Sequence, residues 1–171
     1  MLFPVFTRAD QHDPALDPLF SVLQQTDNPQ VLAEAENRIW QVWLSHPNAD
    51  VMQLMVTATQ LMNNFRYTDA LALYSGIIRG FPDYAEAWNK RATLYYLAGN
   101  FDASIADIRQ TLVLEPRHFG ALSGLGLIYL QQNELRSARQ AFEDVLKVHP
   151  NSANAIENLV LINQTLRKNI I

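Results

Sequence analysis

The chain has 171 residues, 49% of them hydrophobic and 18% charged, enough to bury a core in one globular domain or one short repeat array and unlike a disordered polymer. Lysine and arginine number 13 against 17 acidic residues, and the net charge of -4 argues against nucleic acid as a partner. The absence of cysteine removes disulfides, thiolate metal sites and cysteine nucleophiles and leaves the redox compartment open, and no apolar run approaches the roughly 18 to 20 residues needed to span a bilayer.

Residues 1–14 read as an N-terminal arm. Its opening, Met1-Leu2-Phe3-Pro4-Val5-Phe6, is apolar, with small residues following at Thr7 and Ala9. Two readings stand side by side: a frayed or surface-docked arm, with the cytoplasm as compartment, or the tail of an export signal whose start has been removed, with the periplasm. Over 15–50 the pairs Asp17-Pro18 and Asn28-Pro29 each place a capping side chain before a first-turn proline, so helices are expected at about 18–25 and 29–44. Ala35, Ile39 and Val42 form an inward stripe widened by Trp40 and Trp43, and the pair reads as a degenerate leading repeat.

From there the chain is periodic. Pro47, Pro82, Pro116 and Pro150 are spaced by 35, 34 and 34 residues. The same step relates Leu54, Trp88, Leu122 and Ile156; Leu61, Tyr95 and Tyr129; Ala70, Ser104 and Ala138; and Tyr74, Ile108 and Phe142. Within each unit the apolar residues keep helical spacing and a turn divides the unit, at Asn63-Asn64 in 51–84 and at Gly99-Asn100 in 85–118. Helices are expected at about 85–98 and 101–115, then at 119–132 and 135–148 in the unit 119–152. Residues 153–171 hold one more helix, to about 166, with Ile156, Leu159 and Val160 on its inner side, and read as a C-terminal cap.

The unit 119–152, with Leu122, Leu125, Gly126, Tyr129, Ala138, Phe142 and Pro150, resembles the tetratricopeptide repeat (TPR), W-x2-L-G-x2-Y then A-x3-F then P, with leucine in place of the tryptophan. The unit 85–118 keeps Trp88, Tyr95 and Pro116 but carries Arg91, Ala92, Ser104 and Ile108 at the other places, and 51–84 keeps Ala70 and Pro82. The resemblance implies an all-α, right-handed solenoid of helix-turn-helix repeats with capping helices. Its function would be that of a non-catalytic adaptor, holding a peptide or helix of a partner protein in the concave groove. The segment 114–126 also resembles a junction in a group of small bacterial TPR proteins, many of them exported.

The resemblance further assigns the inner wall to fixed places of the first helix in each unit. These hold Met52, Met55, Thr59 and Met62, then Glu86, Asn89, Lys90, Thr93 and Tyr96, then Gly120, Ser123, Gly124 and Leu127. The methionines suit an adaptable apolar mouth, or are ordinary core beneath the leading helices. Gly120 and Gly124 each cost a helix about 1 kcal/mol relative to alanine, so either a packed helix or a partner approaches closely there. TPR domains that grip the carboxylate tails of heat-shock chaperones use several cations. At the matching places Lys90 is the one cation, alongside Met55, Thr59, Gly120 and Gly124, which does not fit a chaperone-tail adaptor.

Arg91 stands where a core leucine is usual and requires a carboxylate, for which Asp107 on the facing helix is the first candidate. It is either a structural ion pair or, with Arg117 and His118, a cationic corner for a carboxylate or phosphate. His46, His118 and His149 lie near helix ends in different repeats, too far from each other to share a metal. No hydrolase elbow, zinc-protease motif or phosphate loop is present, and no cofactor is expected. The alternatives to the adaptor are a self-associating scaffold and, remotely, an anion-binding or enzymatic site around Arg91, Asp107, Arg117 and His118.

Overall fold

A computed structural model describes residues 11–168. These residues form nine helices and no strand: α1 (Leu16–Gln25), α2 (Pro29–Leu44), α3 (Ala49–Asn63), α4 (Tyr67–Gly80), α5 (Ala85–Leu97), α6 (Phe101–Leu114), α7 (Phe119–Gln131), α8 (Leu135–Val148) and α9 (Ala153–Lys168). The first ten residues, where both readings of the N-terminal arm begin, lie outside the described residues. The end of that arm is docked: Gln11 is buried and its side chain donates to the Asp83 carbonyl.

The helix starts follow local chemistry. The side chains of Asn28 and Asn48 each accept two backbone N–H groups of the first turn, and Asn100 accepts one. At α1 the expectation is corrected. The helix begins at Leu16, so Asp17 is not its cap and Pro18 sits inside the first turn, where a missing N–H is harmless. Within each of the three hairpins the turn residue is left-handed: Phe65 (φ 59°), Gly99 (φ 74°) and Asn133 (φ 58°), again 34 residues apart. The next residue's N–H closes each turn by bonding to a carbonyl of the preceding helix, as Arg66 does to Leu61 at 2.9 Å.

The repeat columns become the core. Ala70, Ser104 and Ala138 sit where the helices of each hairpin cross, and Tyr74, Ile108 and Phe142 pack beside them, all six buried. Small side chains are required at these crossings. The Phe142 ring passes 2.7 Å from where a Cβ on Gly126 would stand, and the Ser104 hydroxyl donates to the Ala92 carbonyl at 2.7 Å.

The leading pair, α1 and α2, does not head the stack. Leu16, Phe20, Leu23, Leu32, Ala35, Ile39 and Trp43 share one core with Phe119, Leu122, Phe142, Val145, Ala155 and Ile162 of α7, α8 and α9. α2 lies along the turns that join successive hairpins. Its Leu44 carbonyl accepts from the Tyr84 hydroxyl (2.8 Å), Trp43 stacks on His118 (ring centroids 4.0 Å, planes 10° apart), and Glu36 meets His149 Nε2 (2.5 Å). α1 and its loop add Asp17 to Arg117 Nη1 (2.7 Å) and the Thr26 carbonyl to Asn151 Nδ2 (2.7 Å). The physical reason is the width of the apolar stripe. Two tryptophans on α2 bury their rings against His118 and Phe119 at the start of α7.

Candidate functional site

Between α2 and the inner faces of α5 and α7 the chain leaves a recess of about 480 Å³, open on one side and bordered by the start of α9. Asn89, Thr93, Tyr96, Gly120, Ser123, Gly124 and Leu127, all expected on the inner wall, line it. Part of its remaining wall comes from residues that sequence reasoning did not place there, among them Glu36 and Trp40 of α2, His149 and Asn154. A second recess of about 330 Å³ lies toward the N-terminal hairpin, lined by Leu44, Met52, Met55, Val56, Thr59, Gln60 and Lys90.

Two of the expected wall residues face elsewhere. Met62 belongs to the core between α3 and α4 and lines neither recess. Met55 is also largely buried in that core and shows only an edge to the recess, whereas Met52 is exposed. The core that takes the two methionines is built by α3, α4 and α5, not by the leading helices. Thr59 is tied down by its hydroxyl contact with Tyr74 (3.0 Å).

Glu86 is buried completely and anchors the wall from behind. Its Oε2 meets His118 Nε2 at 2.9 Å and accepts from Asn89 Nδ2 at 3.1 Å, while Lys90 Nζ stands 3.4 Å from Oε1. Burial pushes the Glu86 carboxyl up, but His118, Lys90 and Asn89 outweigh it and hold the group below the ordinary carboxylate range. The tautomer of His118 follows from geometry: its Nδ1 accepts the Ala121 N–H that opens α7 (3.1 Å), so Nε2 carries the hydrogen donated to Glu86.

The two glycines part company. A Cβ on Gly120 would lie 2.4 Å from Trp40 Cη2, so the close approach there is that of α2. A Cβ on Gly124 would meet only Ile108 Cδ1 at an ordinary 3.5 Å, so Gly124 instead deepens the recess.

Arg91, Arg117 and His118 do not converge. Arg91 is bidentate to Asp107 (Nε to Oδ2 2.7 Å, Nη2 to Oδ1 2.8 Å), donates to Ser75 Oγ (3.1 Å) and lies 5.0 Å over the Trp88 ring. The Asp107 hydrogen bonds raise its already high pKa. Arg117 is held by Glu115 and Asp17, and His118 by Glu86. The expected corner is thus three separate internal pairs. Among the described residues no three His, Asp or Glu side chains converge as a metal site, and no described helix is long and apolar enough to cross a membrane.

Repeated hairpins with a recess on their inner side define a helical-repeat protein of the kind that works by binding. The tetratricopeptide repeat profile matches residues 57–116 and 121–152. A TPR repeat-containing protein of the bacterium Rhizobium etli is 35% identical over 154 residues, which cover 90% of this chain and 76% of that protein. The chain belongs to the tetratricopeptide repeat family. Among solved structures it resembles the first TPR of Spaghetti (RPAP3) bound to the HSP90 peptide SRMEEVD, with a TM-score of 0.64, 22% identity and coverage of 68% of this chain and 93% of that one. It also resembles the Sgt2 TPR domain from Aspergillus fumigatus, with a TM-score of 0.66, 21% identity and coverage of 72% and 83%. The fold is that of an all-α TPR solenoid, a type that is typically a non-catalytic protein-interaction module.

Proposed function

We propose that the protein is an adaptor that takes a short segment of a partner protein, a peptide or a helix, in the recess between α2 and the inner helices. The observation that carries this reading is Gly124. It lowers helix stability by about 1 kcal/mol relative to alanine, no neighbour occupies the space its side chain would fill, and that space opens into the recess.

The HSP90 peptide in the RPAP3 structure ends in an acidic sequence. In this chain the one cation on the wall, Lys90, is already engaged by Glu86, so an acidic tail is not the segment the groove fits. Selection from a displayed peptide library on the wild-type protein should yield binders that lose the Gly124→Leu variant while its circular dichroism and melting temperature stay intact. Binders indifferent to Gly124→Leu would refute the groove as the site.

A second reading, self-association, is favoured by α9. No described helix covers Ile156 and Val160, which are 43% and 50% exposed. Light scattering over a concentration series, with Val160→Glu as control, distinguishes a dimer through this face from a monomeric adaptor.

A further inference from the structure

We infer that the recess beside Trp40 selects a positively charged side chain, an arginine or lysine flanked by apolar residues, in the segment it takes; the inference rests on the groove reading above. Its lining includes no lysine or arginine and one carboxylate, Glu36. One oxygen of that carboxylate meets His149 Nε2 at 2.5 Å; the other has no partner among the described residues, and the side chain is 39% exposed.

The surroundings suit a cation with a long apolar stem. Ile108, Leu127 and the bare backbone at Gly124 give an apolar floor for the stem, while the half-buried aromatic side chains of Trp40 and Tyr96 border the same space, surroundings that suit a guanidinium or ammonium group. An anionic side chain there would meet Glu36 as a like charge in a partly desolvated setting. Two features that could favour an anion are already engaged. Lys90 lines the neighbouring recess and is held to buried Glu86, and at the start of α7 the Ala121 N–H is donated to His118 Nδ1. The net charge of -4 on the whole chain acts in the same direction during encounter.

The test measures fluorescence anisotropy of the whole protein with three labelled, capped peptides that differ only at the centre: Ala-Leu-Arg-Leu-Ala and its glutamine and glutamate counterparts. At low salt the arginine peptide is expected to bind about tenfold tighter than the glutamate peptide, with the glutamine peptide between them, and high salt should compress the series. In Glu36→Gln the ratio should fall to about one. A general loosening of α2 would weaken all three peptides together and leave the ratio standing, so the ratio is the readout that a merely structural role of Glu36 would not move.

A glutamate peptide that binds as well as the arginine peptide, or a preference that survives Glu36→Gln, overturns the inference. If all three bind equally and all are lost in Gly124→Leu, the groove reading stands and the charge selection falls. If none binds at millimolar concentration, both fall.

Discussion

Arg91 shows how a residue that breaks its repeat column can be read before its partner is seen. A guanidinium at a core position must have a carboxylate, and Asp107 was the nearest candidate on the facing helix; the structure makes the pair bidentate, with Ser75 and the Trp88 ring completing its surroundings. Arg91→Leu should cost about 3–5 kcal/mol in urea unfolding because Asp107, its side chain 6% exposed, is left charged and unpaired. Replacing both residues with leucine should restore most of that stability. A double variant no better than the single one would show that the pair does more than neutralise itself. Glu86 makes a prediction in pH. Its carboxyl is held below the ordinary carboxylate range in the folded chain, so on acidification the unfolded chain takes up the proton first. The stabilisation is therefore complete above that range and is lost as pH falls through the folded value. The urea midpoint should drop as pH falls below about 5, and Glu86→Gln should flatten the drop. An unchanged slope in that variant would remove Glu86 as its source. The partners of Glu86 were not legible in the sequence, since nothing in the order of residues says that His118 caps α7 with one nitrogen and reaches back to α5 with the other.

At the scale of helices, the three hairpins and the helix after them could be read from the 34-residue step, because each column reports the same crossing in every unit. The place of α2 could not. Ala35, Ile39 and Trp43 report that one face is buried, yet an amphipathic stripe does not say which element buries it. One signal did point there: Gly120, inside a helix, announced a close approach, and Trp40 of α2 is what approaches. The glycines of α7 should accordingly respond in opposite senses to alanine. Gly120→Ala drives a methyl into an indole packed among Trp43, His118 and Phe119, and thermal unfolding should show a loss of about 1–3 kcal/mol. Gly124→Ala meets only ordinary contact and should gain up to about 1 kcal/mol. Equal responses would mean that α2 does not sit over the start of α7.

Taken whole, the molecule departs from a simple stack in which each repeat touches only its neighbours. Trp43 joins α2 to the α7–α9 core, and Leu44 ties the same helix to the first junction, so one helix spans three successive turns. Trp43→Ala should cost about 3–5 kcal/mol, and in hydrogen exchange the loss of protection should concentrate in α7, α8 and α9 rather than in α3 and α4. Uniform loss along the chain would indicate that the hairpin supports no particular end.

That arrangement has a consequence for biosynthesis. Asp17 waits for Arg117, and Thr26 for Asn151, 100 and 125 positions later. An ordinary array can consolidate unit by unit as it leaves the ribosome. Here α1 and α2, made before the repeats, settle only once α7, α8 and α9 have emerged, and until then they carry Phe20, Trp40 and Trp43 into water. The nascent chain thus passes through a long interval with its two-tryptophan helix unsheltered, a window in which holding factors, or its absence from crowded polysomes, would decide the yield of folded protein.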